Sequence, residues 1–209
     1  MSVVTSLDHP LATHHLGHLR SVDSDSAEFR RRIQVLTGML LVEATRKLPV
    51  QAVDVVTPLE TIATTQLQPS IAIAPILRAG LGMVDPVLQM IPSAVVWHLG
   101  MFRDEQTALP VRYYDKVPRD QSASLALVLD PMLATGGSAI MAIDILKECD
   151  VDEIRMLSVI AAPEGIQAVQ EKHSDVDLFT CVIDQQLNSQ NYIVPGLGDA
   201  GDRIFNTRG

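Results

Sequence analysis

Apolar residues run unbroken from Leu125 to Leu129, stop at the carboxylate of Asp130, and resume with helical spacing from Ile140 to Leu146. An apolar run without a charge predicts a strand buried on both faces. Between the two lie Pro131, Met132, Leu133, Ala134, Thr135, Gly136, Gly137 and Ser138, so the order is strand, acid, glycine loop, helix. A second apolar run, Ile71 to Leu77, leads straight into Arg78, Ala79, Gly80 and Gly82. Further runs predict strands over Ala94–Leu99, Ile154–Ala162 and Val176–Ile183, a helical segment ending at Met90, and a helix over Gly165–Lys172. Near the N-terminus, Phe29, Ile33, Leu36 and Leu40 recur at spacings of four, three and four. They form the stripe of a long helix that runs toward Lys47, with caps offered around Ser24 and Ser26. Arg30, Arg31 and Arg32 flank that stripe and read as a solvated face.

Alternating strands and helices imply parallel pairing with right-handed crossovers, hence an α/β fold with an open, mostly parallel sheet flanked by helices. Ligands in such sheets bind outside the carboxyl ends of the strands. Arg78 and Asp130 both follow strand ends and are expected on the same edge. Two stretches break the alternation. Residues 48–70 contain Pro49, Pro58 and Pro69 around a β-branched run, which suggests short strands in a small excursion or hood. The polar connection GMFRDEQTALPVRYYDKVPRD carries Arg103, Arg112, Lys116, Arg119, Tyr113 and Tyr114. Its length suits a cover over a site, and equally a solvated linker. The expected organisation is one domain over residues 1–209, with 48–70 and 103–119 as peripheral arm and cover.

The glycine loop carries the first candidate chemistry. Gly136 and Gly137 allow a sharp turn, and the first turn of the following helix leaves backbone donors unpaired beside a partial positive charge. That makes a socket for an anion, most naturally a phosphate, with Thr135 and Ser138 adding hydroxyl donors and Asp130 able to accept from sugar hydroxyls. The same residues also suit a plain turn and helix cap. A nucleoside-triphosphate loop is excluded, because no Lys follows the glycines before Lys147. Arg78 is a planar cation suited to phosphate oxygens, beside a Gly80 that permits close backbone approach to a ligand. In the tail, Gly196, Gly198 and Gly201 satisfy the glycine spacing of dinucleotide folds. Only eight residues follow Gly201, however, too few for the helix, second strand and acid that give that spacing meaning. What remains in YIVPGLGDAGD is a loop suited to reading a flat heterocycle with backbone groups.

Composition narrows the class. Hydrophobic residues make up 47% of the chain and aromatics only 4%, so the core is aliphatic. The net charge of -9 argues against nucleic acid as the main partner. Cys149 and Cys181 stand in no metal-ligand spacing and read as reduced thiols. His9, His14, His15 and His18 have only Asp8 nearby to complete a metal site, and so read as surface or packing residues. MSVVTSLDHP lacks the pattern of a signal peptide and the apolar runs are short, which leads to the expectation of a cytoplasmic protein without membrane contact.

With these pieces assembled, the chain resembles the uracil phosphoribosyltransferases. The resemblance rests on HPLATHHLG, PILRAGLGM, GMFRDE, VLDPMLATGGSA, AAPEGI and YIVPGLGDAGDRIF, and spans nearly the whole sequence. Relatives acting on other bases mostly carry two adjacent acids at the strand end, whereas Pro131 follows Asp130 here, a variation typical of the uracil members. The resemblance implies the type I phosphoribosyltransferase fold. It also implies conversion of uracil and 5-phospho-alpha-D-ribose 1-diphosphate (PRPP) to UMP and pyrophosphate in pyrimidine salvage. Mg2+ would be carried mainly by PRPP, with no direct protein-only metal site. By match, PRPP would be bound by Arg78, Arg103, Asp130, Pro131, Met132, Leu133, Ala134, Thr135, Gly136, Gly137, Ser138 and Asp199. Uracil would be read by Ile193, Gly198, Asp199 and Ala200, and the catalytic roles would fall to Arg103, Asp130 and Asp199. Some members are activated by GTP, and a homodimer or higher homo-oligomer is implied by resemblance alone. The 48–70 segment departs from the pattern, since it lacks the glycine found in the corresponding hairpin of many relatives. Two rivals share the fold: a pyrimidine-sensing RNA-binding regulator, disfavoured by the acidic charge and the tail, and a transferase for another base, disfavoured by the tail.

Overall fold

A computed structural model describes residues 2–103, 110–115, 117–118 and 123–207. The chain begins with strand β1 (Val4–Ser6) and helices α1 (Pro10–Arg20) and α2 (Ser26–Ala44), followed by a hairpin of β2 (Val50–Val56) and β3 (Thr61–Leu67). Strand β4 (Ile71–Leu77) leads through a 3-10 turn at Ala79–Met83 into α3 (Val84–Met90), then β5 (Val95–Val96), β6 (Leu99–Arg103) and β7 (Pro110–Asp115). The second half alternates: β8 (Leu125–Leu129), β9 (Met132–Leu133), α4 (Gly137–Lys147), β10 (Glu153–Ala161), α5 (Pro163–Lys172) and β11 (Asp177–Ile183). A short ladder of β12 (Gln186–Leu187) and β13 (Ile193–Val194) precedes α6 (Ala200–Phe205).

Among the described residues the main sheet has nine strands in the order β1-β11-β10-β8-β4-β6-β7, with β5 beside β4 and β9 beside β10. Every pairing in it is parallel except β6 with β7. The period of two along each strand divides the core. Leu125, Leu127 and Leu129 pack with Ile71 and Ile73 under α1, α2 and α6, while Ala126 and Val128 face Ala72, Ala74 and the apolar side of α4. Both faces are therefore dry, which explains the unbroken apolar run of β8.

Several elements differ from their sequence-based expectation for identifiable reasons. Asp25, rather than Ser24 or Ser26, caps α2, accepting from the Glu28 amide at 2.8 Å. The strand expected over Ala94–Leu99 is divided into β5 and β6, with Trp97 burying its ring in the second core between them. Gly80 makes a close approach to the protein itself: a Cβ there would lie 2.4 Å from the Leu129 carbonyl oxygen, so its lack of a side chain lets the turn after β4 pack against the end of β8. Arg31 and Arg32 pair with Glu28, but Arg30 reaches the Ile204 carbonyl at 2.6 Å and so holds α6 to α2.

The β2–β3 hairpin forms its own two-stranded sheet, largely exposed, with Val56 opposite Thr61 next to the turn. It turns without glycine because the Thr57 hydroxyl substitutes for backbone freedom. That hydroxyl donates to the Glu60 carbonyl at 2.8 Å and accepts from the amides of Leu59 and Glu60, while Pro58 fixes the intervening φ. In α1, His9 is the N-cap, its Nδ1 accepting from the Leu11 amide at 3.1 Å, and the His15 ring contacts Arg32 at 2.7 Å. Cys181 is buried in β11, and burial pushes its thiol up to about 12; Cys149 is half-buried just beyond α4.

Candidate active site

Parallel pairing of β4 with β8 places Pro75 opposite Leu129, so the two strands end side by side. Arg78 emerges from one end and Asp130 from the other. They share a cleft of about 410 Å3 with Ser138 at the start of α4, Asp199 at the start of α6, and Met132, Met101 and Tyr113. Among the described residues the cleft thus collects one cation, two carboxylates and two hydroxyls at the carboxyl edge of the sheet.

The loop between β8 and α4 is held from below. The Asp130 amide donates to the Leu157 carbonyl of β10, and Met132 and Leu133 pair with Ile160 and Ala161. Gly136 is the N-cap of α4 with φ +83°, and among the described residues no side chain caps the helix there. The first-turn amides, from Gly137 onward, are therefore left to an incoming acceptor, and no acidic residue stands in that turn to repel an anion.

Asp130 is half-buried at the cleft floor. Burial pushes its carboxyl up to about 7, an amide hydrogen bond from Met132 at 3.2 Å opposes the rise, and the charge of Asp199 adds to it. Desolvation dominates, so Asp130 is protonated more readily than an ordinary carboxylate. Arg78 contacts Asp202 of α6, Nη2 to Oδ1, at 3.2 Å, and the Thr207 hydroxyl lies 2.6 Å from the same oxygen. Asp199 caps α6 by accepting from the Asp202 amide at 2.9 Å. A Cβ on Gly201 would lie 3.3 Å from an Asp199 carboxylate oxygen and 3.7 Å from Arg78 Nη2.

Of the residues singled out in the sequence, Arg78, Asp130, Met132, Ser138 and Asp199 line this one cleft. Pro131, Leu133, Ala134, Thr135, Gly136 and Gly137 form the loop that frames it, while Ile193 and Ala200 are buried and Gly198 lies in the connecting loop. Arg103 ends β6, with Met101 of the same strand in the lining. Its side chain lies outside the described residues, as do positions 104–109, 116 and 119 of the expected cover. Asp202 was missed. Its spacing of three from Asp199 on one short helix was the available signal.

The open parallel sheet carries an acid-and-glycine loop at one strand end and an arginine at its neighbour, and solved structures share this fold. The solved structure of the AQ2163 protein from Aquifex aeolicus matches with a TM-score of 0.92 at 34% identity, covering 97% of this chain and 98% of that one. Adenine phosphoribosyl transferase from Trypanosoma brucei shares the fold at a TM-score of 0.57 and 12% identity, over 99% of this chain and 90% of that one. Sequence comparison narrows the class: the family profile described as uracil phosphoribosyltransferase matches residues 6–207. Uracil phosphoribosyltransferase of Roseiflexus sp. (strain RS-1) is 50% identical over 207 residues, spanning 99% of this chain and 100% of the relative. That of Lysinibacillus sphaericus (strain C3-41) is 48% identical over 210 residues and spans 100% of both. The chain belongs to the uracil phosphoribosyltransferase family.

Proposed function

We propose that the protein joins uracil to the phosphoribosyl group of PRPP, giving UMP and pyrophosphate in pyrimidine salvage, and that the cleft between the ends of β4 and β8 is where this occurs. The observation that carries the assignment of the site is the convergence of Arg78, Asp130, Ser138 and Asp199 on one cavity beside a free helix N-terminus. Thr135 to Ser138 hold the 5-phosphate through first-turn amides and hydroxyls. Asp130 accepts from the ribose hydroxyls, which stabilises its ionised form when the donor is bound. Arg78 exchanges its contact with Asp202 for the diphosphate, where Arg103 joins it. Ile193, Gly198, Asp199 and Ala200 receive the base, with Asp199 also facing the donor.

Breaking the anomeric C–O bond leaves a sugar with oxocarbenium character and an anionic diphosphate, so the largest contribution comes from cations aimed at the leaving group. Among the described residues no three His, Cys, Asp or Glu side chains converge on a metal position. The hard oxygens of Asp130 and Asp199 suit magnesium that arrives with the diphosphate and retains water. When bound, the ion neutralises leaving-group charge. Uracil N1 bonds to the sugar carbon as the C–O bond to the diphosphate breaks, its proton passing to water or to the departing diphosphate, and the loop backbone stabilises the developing uracil anion.

Incubation with uracil, PRPP and magnesium should yield UMP. Turnover of hypoxanthine, adenine or orotate in place of uracil overturns the assignment. GTP activation and a homodimeric or larger assembly belong to this reading through family resemblance, and GTP titration and sedimentation test them. The setting is the cytoplasm; among the described residues no helix is long and apolar enough to cross a membrane.

A further inference from the structure

The loop read above as the base pocket has few hydrogen bonds of its own kind. Its ladder is the two-residue pairing of β12 with β13, and it then turns through Gly196 and Gly198, both at positive φ. A Cβ on Gly196 would lie 2.1 Å from the Ile193 carbonyl oxygen, so the turn is tight as well as left-handed. A loop of that kind samples many peptide orientations unless something outside it decides between them.

Two side chains from distant parts of the chain do so. Arg20, the last residue of α1, forks onto Asp184 just past β11, with Nη2 to Oδ1 at 2.6 Å and Nη1 to Oδ2 at 2.9 Å. The same Nη1 donates to the Gly196 carbonyl at 2.7 Å, and the Gly196 amide donates to Asp184 Oδ2 at 3.1 Å. The Asp184 side chain is only 3% exposed. Arg203 of α6 lies over the Phe29 ring at 4.4 Å and donates to the carbonyls of Leu197 and Leu19 at 2.9 Å each. Neither Arg20 nor Asp184 lines the cleft.

We propose that Arg20 and Asp184 are positioning residues for the base: by engaging the peptide groups on both sides of Gly196, they fix which N–H and C=O groups Gly198 to Ala200 present to uracil. The inference rests on the reading of that loop as the uracil site. Uracil offers one N–H donor between two carbonyl acceptors on the edge away from N1. A backbone reader matches it only if its peptides do not rotate, because each flip exchanges a donor for an acceptor. A guanidinium fork is suited to this task, since its geometry is planar and fixed.

Arg20→Ala and Asp184→Asn should raise the KM for uracil by on the order of tenfold or more, leave the KM for PRPP within about threefold, and lower kcat by less than the rise in uracil KM. Arg20→Lys should recover part of the loss, because an ammonium can bond the Gly196 carbonyl or the carboxylate but cannot fork across both. Should Arg20→Ala fail to fold, Arg20→Lys carries the test alone, with a raised uracil KM and an unchanged PRPP KM. Parallel rises in both KM values, or no change in either in a folded variant, overturn the proposal. In the wild-type protein, UMP but not ribose 5-phosphate should shift the amide resonances of Gly198 and Ala200. Absence of that difference removes the loop reading and the proposal together. Its presence alongside an unaltered uracil KM in the variants removes the proposal alone.

Discussion

Asp130 sets the behaviour of the empty site. In an unfolded chain this carboxyl ionises near its ordinary value of 3.8, whereas burial in the folded protein raises it to about 7. Between those values the folded state holds a proton that the unfolded state releases, so stability from this group declines as pH rises from about 4 to about 7 and is flat above. Asp130→Asn should therefore gain in melting temperature relative to wild type across that window without donor, which paired thermal scans will show. The same variant should bind PRPP on the order of tenfold more weakly at pH 8. Wild-type affinity for PRPP should fall below about pH 7, and the variant should lack that component of the pH profile. Arg103→Ala should lower kcat/KM on the order of a hundredfold if its charge meets the leaving diphosphate. A change under about threefold in steady-state assays removes it from the site. At this scale the motif residues were legible because phosphate chemistry demands neighbours in sequence: an acid at a strand end, then glycines at a helix start. Arg20 and Asp184 were not legible, since 164 residues separate them and neither sits in a pattern.

Among the elements, those with one dominant period were readable. The stripe of α2 and the apolar runs of β4, β8 and β10 match the structure within a few residues. Helix α1 was not visible, because its buried side consists of only Ala12, Leu16 and Leu19 and its cap is a histidine rather than a common capping residue. Strand β1 has only three residues and is defined by its partner, Val4 lying opposite Leu178. In the hairpin, turn chemistry replaced the missing glycine, and that substitution can be tested. Thr57→Val keeps the shape but removes the hydroxyl that bonds Glu60 and Leu59. Loss of about 1 kcal/mol at the turn should speed amide exchange in β2 and β3 roughly fivefold while leaving β8 and β10 unchanged. Equal acceleration throughout would mean that the hairpin opens only with the whole fold.

For the whole molecule, the acidic balance and the anionic donor look opposed, and the fold resolves the conflict locally. Arg78 and the α4 terminus face the cleft, while much of the negative charge lies elsewhere. Donor binding should therefore appear in global stability. PRPP with magnesium at about 100 times its Kd adds about 2.7 kcal/mol, which raises the melting temperature by roughly 5 to 10 °C in a domain of this size. Ribose alone should leave it unchanged. Helix α4 joins this site to the more exposed of the two thiols. Cys181 is buried and its thiol is raised to about 12, so it stays silent, whereas Cys149 lies half-buried beyond the last turn. Eleven residues of helix separate the phosphate loop from that turn, about 16 Å. A fluorophore on Cys149 would thus sit clear of the ligands yet share a rigid rod with the loop that grips them, giving the unmodified sequence a built-in optical gauge of donor occupancy.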